Sequence, residues 1–292
     1  MPLGAGDLVL CAGTLPRGTS FTDRIEAAVA GGFTGMSLWG RDYAAARREG
    51  HSDADIRARL DGHGIAIAEL DPAWWWLPGS RAVAERVPAD LDSEEVFGYG
   101  EAEVFRIAAV VGARSLNAVD IFGGDWTVDD AAGAFAGLCD RAVEHDLVVH
   151  LEFLPWSRVP DLATAWEIVR RADRPNGGIA VDAWHYFRSG ADEGTLRQIP
   201  GDRVLGIQLD DGPEAPETNL LHATLHERQL PGTGELDLVG LLDALRAIGA
   251  VAPIGVEVFS DELHALGPIE AATHAGAAAR ALLARAATSP PD

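Results

Sequence analysis

Short apolar, β-prone runs alternate along the whole chain with longer stretches whose apolar residues recur at helical spacing. The first kind predicts strands over residues 8–12, 33–39, 65–71, 115–120, 147–153, 178–182, 204–209 and 254–259. The second kind predicts helices over 22–30, 42–61, 93–111, 128–145, 162–172, 193–198, 236–248 and 269–287. Boundary chemistry supports several of these limits. Gly62-His63-Gly64 stops the second helix, Ser93-Glu94-Glu95 caps the third, and Gly112 lies just beyond its end. The helix after strand six is short, and the tail 288–292, with two prolines, is expected to fray.

Eight strands, each followed by a helix, predict a parallel sheet with helices packed outside it. The alternative is an open, doubly wound sheet, which needs a glycine-rich phosphate turn of the form G-x-G-x-x-G after the first strand. Here that turn reads Ala12-Gly13-Thr14-Leu15-Pro16-Arg17-Gly18 and does not match. A closed barrel needs about 250 residues, so residues 1–292 are read as one (β/α)8 TIM-barrel domain of the α/β class. Two connections are long, 72–92 after strand three and 210–234 after strand seven. Both leave the carboxyl ends of strands, where barrels of this kind carry their chemistry.

Charge and composition remove several function classes. The formal net charge is −22, which repels phosphate backbones and argues against a nucleic-acid partner. No apolar stretch is long enough to span a bilayer, so no membrane role is expected. The start of the chain lacks the basic and apolar regions of a signal peptide, and a cytoplasmic location is the expectation. Cys11 and Cys139 are too few for a disulfide framework or a zinc knuckle. Assembly into a homo-oligomer is compatible with this composition.

The sharpest pattern is at the ends of strands five to eight: Leu151-Glu152-Phe153, Val181-Asp182-Ala183, Ile207-Gln208-Leu209 and Val256-Glu257-Val258. Each polar residue sits between apolar neighbours, so strand alternation turns it to the opposite face from them, towards the barrel interior. Two Glu, one Asp and one Gln meeting near the rim need a compensating charge, because crowded carboxylates otherwise take up protons. A single divalent cation supplies that charge, and oxygen ligands favour Mg2+ or Mn2+. Two positions earlier stand His150, Ala180, Gly206 and Gly255, a layer with room in it. His150 fills that room, either bracing Glu152 from below or as a plain core histidine.

These strand ends, with Asp182-Ala183-Trp184-His185 and the stretch Arg228-Gln229-Leu230-Pro231-Gly232-Thr233-Gly234-Glu235-Leu236-Asp237, resemble the xylose-isomerase-like sugar phosphate isomerase/epimerase superfamily. The resemblance implies that Glu152, Asp182, Gln208 and Glu257 bind the metal and that His185 and Arg228 hold substrate oxygens. Many members carry histidine where this chain has Gln208; glutamine there also resembles the 3-dehydroshikimate dehydratase branch.

The implied chemistry is proton abstraction beside a carbonyl, with Glu152 and Glu257 as base and acid. Epimerisation, isomerisation and loss of a β-hydroxyl all follow from that one step. The leading expectation is therefore a metal-dependent isomerase or epimerase of carbohydrate metabolism acting on a small polyhydroxylated or cyclic substrate. The alternative is a dehydratase, a lyase, of the 3-dehydroshikimate or keto-inositol type. Trp39, at the end of strand two, and the run Trp74-Trp75-Trp76 offer flat walls for a ring, as do Trp126, Trp156 and Trp184. Glu69 and Asp71 share inward parity on strand three and are placed to reach the pocket. Two other readings are weaker. An abasic-site endonuclease of the endonuclease IV type needs histidines on strands three and four, which here end in Glu69-Leu70-Asp71 and Asn117-Ala118-Val119-Asp120. A non-catalytic sugar-binding barrel has no need of four converging ligands.

Overall fold

The computed structural model describes residues 3–80 and 97–288. Eight parallel strands run β1 (Leu8–Leu10), β2 (Gly35–Trp39), β3 (Ala66–Ala73), β4 (Ser115–Ala118), β5 (Val148–Leu151), β6 (Gly177–Asp182), β7 (Val204–Leu209) and β8 (Ile254–Val256). Each pairs with the next, and Val9 of β1 lies opposite both Gly35 of β2 and Gly255 of β8, so the sheet closes on itself. The structure is thus the closed (β/α)8 barrel that the alternation predicts, and the open-sheet alternative is excluded.

All eight strands fall inside the expected segments or overlap them, but β1, β4, β5 and β8 are shorter at the carboxyl end. Glu152 and Glu257 therefore lie one residue past β5 and β8, while Asp182 and Gln208 sit within β6 and β7. Their backbones stay tied to the sheet, Glu152 N donating to Ala118 O at 3.0 Å and Glu257 N to Leu209 O at 3.0 Å.

Helices wrap the outside. In order they are α1 (Phe21–Gly31), α2 (Gly40–Arg48), α3 (Asp53–His63), α4 (Glu101–Val111), α5 (Val128–Val143), α6 (Leu162–Ala172), α7 (Ala183–Arg188), α8 (Glu193–Leu196), α9 (Leu220–His226), α10 (Leu238–Ala247), α11 (Asp261–His264) and α12 (Pro268–Thr288). Each longer one buries an apolar stripe, as in Val104, Phe105, Ile107, Ala108 and Val111 of α4. Removing each such large side chain from water is worth about 1.5–3 kcal/mol, which fixes the ring of helices on the barrel.

The single helix expected over 42–61 is two. Gly50, at φ 95°, turns the chain out of α2, and Ser52 restarts it by accepting from Asp55 N while Asp55 accepts from Ser52 N. That reciprocal cap makes a new helix start cheaper than continuing through the glycine. The cap expected at Ser93-Glu94-Glu95, the end of the long connection after β3 and nearly all of the tail lie outside the described residues.

Candidate functional site

Strand alternation gathers a set of acidic side chains inside the barrel, most of them towards its carboxyl end. Glu69, Asp71, Glu152, Asp182, Asp210 and Glu257 are all under 10% exposed. Glu152, Asp182 and His185 each present one ligand atom within 4.8 Å of the others. Three further relationships organise the cluster.

Asp182 ends β6 and starts α7. Its Oδ1 accepts from His185 N at 2.9 Å, the ordinary cap of a helix N-terminus, and this turn throws the His185 ring back over the rim. Its Oδ2 accepts from Arg228 Nη1 at 2.9 Å. Burial by itself would raise the Asp182 carboxyl, but the Arg228 charge, the neighbouring His185 and these hydrogen bonds outweigh it and hold the group below its usual range.

Arg228 is delivered by the long connection after β7. Glu227-Arg228-Gln229 runs as an extended segment between the loops following β7 and β8: Gln229 and Asp211 exchange backbone bonds at 2.9 Å, and Arg228 N donates to Phe259 O at 3.0 Å. Asp211 also gathers the next turn, accepting from Gly232 N and Leu236 N. The guanidinium is buried, donating to Asp182 and, at 2.6 Å, to Asp210, with Thr224 O holding Nε. Arg228 is neither a surface partner of Glu227 nor turned outward as a free clamp; its fork is engaged by the protein's own carboxylates. Glu227 instead lies 3.4 Å from His222.

Glu152 and Glu257 are both pushed upward. Burial, then the charges of Asp182 and Asp71, raise Glu152 well above the carboxylate range. Burial likewise raises Glu257 against the Arg228 charge, with Asp71, Glu152 and Asp182 adding to the upward push. The His185 ring, buried beside Arg228, is pushed down to about 4 despite Asp182, so it is neutral at physiological pH. Its Nε2 lies 3.6 Å from Glu152 Oε1, and the half-exposed Trp156 meets the ring edge-on at 5.4 Å.

The donor set suits a divalent cation. Both amide atoms of Gln208 and Oε1 of Glu257 are buried without a hydrogen-bond partner among the described residues. Buried polar atoms left so are costly, and here they flank carboxylates that repel one another. Gln208 stands in register with Asp182 on one side and Gly255 on the other; a side chain at Gly255 would meet both Cys11 Sγ and Gln208 Cγ. The missing Cβ leaves Gln208 its place.

Other expected site residues have different partners. Glu69 pairs with His150 Nε2 at 2.9 Å, so His150 braces Glu69 and not Glu152; a Cβ at Gly206 would lie 3.3 Å from the His150 ring. Trp39 donates from Nε1 to Asp71 Oδ2 at 2.8 Å, and the Arg41 guanidinium sits 3.6 Å over its ring. One face of that wall is therefore covered. Trp76, Trp126 and Trp184 are buried packing residues. Two participants escaped sequence reasoning. Asn117 donates to both Asp71 and Glu152, and Asp210 anchors Arg228. Asn117 has the same apolar-flanked alternation that marks Glu152; Asp210, at the mouth of a loop, carries no comparable signal.

Comparison with known proteins places this geometry in context. A 3-dehydroshikimate dehydratase of Pseudomonas putida is 29% identical over 265 residues, 88% of this chain, which spans only 38% of that relative's length. An inosose isomerase of Bacillus subtilis is 32% identical over 136 residues, 46% of this chain and 48% of that one. Among solved structures, the IOLI protein with a bound zinc atom superposes with a TM-score of 0.81 at 20% identity, covering 97% of this chain and all of that one. The family model for xylose isomerase-like TIM barrels matches residues 25–285, and the chain belongs to that family.

Proposed function

We propose that this chain is a divalent-metal-dependent enzyme that takes a proton from the carbon beside a carbonyl of a small, polyhydroxylated cyclic substrate, and that the outcome is loss of a β-hydroxyl as water. The observation that carries the reading is the meeting of Glu152, Asp182 and His185 within 4.8 Å, beside a Glu257 oxygen and a Gln208 amide that lack partners. Such a donor set serves an ion or a substrate rather than the fold.

Glu152, Asp182, Gln208 and Glu257 would hold the ion, with Mg2+ or Mn2+ favoured by their oxygens. When bound, it supplies Lewis-acid stabilisation of negative charge developing on a substrate oxygen. The remaining work belongs to the side chains. The Glu257 carboxylate, beside the ion, accepts the C–H proton, and the electron pair left behind forms the new double bond. His185, neutral and bordering Glu152, offers a hydrogen bond to the departing hydroxyl, which leaves as water on taking up the proton that Glu257 removed from carbon. Arg228 keeps Asp182 ionised and oriented. Trp156 closes the site beside His185 and shields it from solvent.

Dehydration is favoured over isomerisation by coverage: the resemblance to the dehydratases extends over 88% of the chain, that to the inosose isomerases over about half of it. Glutamine at position 208 agrees with this choice. Epimerisation or isomerisation of an inosose is the second reading, supported by the 32% identity over the shared segment. The net charge of −22 and the absence of histidine at Asp71 and Asn117 speak against a nuclease.

The test is a substrate panel. Metal-loaded chain is incubated with 3-dehydroshikimate, inososes and ketoses, and products are resolved by absorbance and chromatography. Loss of water from 3-dehydroshikimate leaves an aromatic dihydroxybenzoate that absorbs in the ultraviolet. Turnover of an inosose or ketose alone would replace dehydration with isomerisation; no turnover of any would remove the enzyme reading.

A further inference from the structure

One residue from each of four successive strand ends joins a single chain of hydrogen bonds. Trp39 closes β2 and lies in register with Asp71 of β3, to whose Oδ2 its Nε1 donates at 2.8 Å. Asn117 of β4 donates from the same Nδ2 to Asp71 Oδ1 at 3.0 Å and to Glu152 Oε2 at 2.5 Å, just beyond β5. An amide nitrogen has two N–H bonds, so one goes to each carboxylate and neither is left over. The amide orientation is thereby fixed: turned over, its oxygen would face two carboxylates. Asp71 in turn accepts on both oxygens, which an ionised carboxylate does and a neutral amide of the same shape cannot. Asn117 is fully buried, and its Oδ1 has no partner among the described residues. An asparagine kept only to fill space would be better replaced by an apolar residue of like volume.

We propose that Asn117 and Asp71 are positioning residues for Glu152. Asp71, steadied by Trp39, holds the Asn117 amide; the amide occupies Glu152 Oε2, and Oε1 is left as the oxygen presented to the cation and to His185. The inference rests on the metal reading above and adds residues to it. It also separates the two acids of β3, since Glu69 serves His150 while Asp71 serves the site. Groups that orient a metal-ligating carboxylate typically change affinity or activity by 10–100-fold when removed.

The experiment is Mn2+ titration of the metal-stripped full chain for the wild type, D71N, N117A and the double variant, with melting temperature as a control on folding. Asn117→Ala is expected to weaken Mn2+ binding by about 10–100-fold, and Asp71→Asn by about tenfold although it leaves volume unchanged. Because Asp71 acts through Asn117, the double variant is expected to bind Mn2+ about as weakly as N117A alone, while the melting temperatures report any loss of packing separately. Should N117A fail to fold, the isosteric D71N alone decides the matter. Wild-type affinity in D71N, or losses that multiply in the double variant, would overturn the inference while leaving the metal reading intact. A wild type that binds no Mn2+ overturns both.

Discussion

The guanidinium of Arg228 donates from Nη1 to Oδ2 of Asp182 at 2.9 Å, and both side chains are sealed from solvent. The pair joins β6 to the long connection after β7, and Asp210 completes it. Removing one member of a buried ion pair strands the other. Arg228→Met is therefore expected to lower the unfolding free energy of the metal-free chain by about 3 kcal/mol, read by urea denaturation. A stability equal to wild type would show that the guanidinium is not carrying these carboxylates.

Glu152 and Glu257 differ in their surroundings, and their variants should differ too. Glu152→Gln removes a charge facing Asp182 and His185, and is expected to lose most Mn2+ affinity together with turnover. Glu257→Gln should retain weaker binding and lose turnover by about 100-fold or more, as expected of a proton-transfer group. Isothermal titration and initial rates measured on the same preparations separate the two effects. Unimpaired turnover in E257Q would remove Glu257 as the base.

The metal-free fold should lose stability as pH rises. Burial, with the Glu69 charge, pushes Asp71 up to about 7, and Glu152, Glu257 and Asp210 are also raised. A folded chain whose acids have raised pKa values binds protons that the unfolded chain has released. For Asp71 this stabilisation is full below about pH 4 and is lost as the pH passes through about 7. The lowered helix-cap acids Asp55 and Asp130 act in the opposite sense, but at more acid pH. A divalent ion competes with those protons, so its increment in melting temperature should grow between about pH 5 and pH 8. Scanning calorimetry with and without Mn2+ checks the sign; an increment that shrinks over that range would contradict it.

Gln208 offers an uncharged oxygen where an imidazole would offer nitrogen. Gln208→His is expected to raise the ratio of Zn2+ to Mn2+ affinity by about tenfold, since nitrogen ligands suit zinc and amide oxygens suit harder ions. Competition titrations measure that ratio, and an unchanged value would place residue 208 outside the first ring of ligands.

Much of this was legible in the chain itself, and the reasons are local. Alternation is a property of neighbouring residues, so Leu151-Glu152-Phe153 and Val256-Glu257-Val258 announce inward acids without any knowledge of the fold. The helix break at Gly50 was obscured because charged and small residues run on through it from one helix to the next, although the Ser52–Asp55 cap was there to be read. Pairings between distant strands were not readable at all. His150 meets Glu69, 81 residues earlier in the chain, and Arg228 reaches Asp182 across 46 residues, because barrel closure and not sequence distance sets who faces whom. Asn117 was missed because an uncharged residue in an apolar strand raises no electrostatic question until its neighbours are known.

The most direct test is equilibrium titration of the metal-stripped chain with Mn2+, comparing wild type with E152Q and D182N. The account predicts one ion per wild-type chain and at least a tenfold loss of affinity, on the order expected for deleting a ligand charge, in each variant. No binding by the wild type, or undiminished binding in both variants, would contradict it.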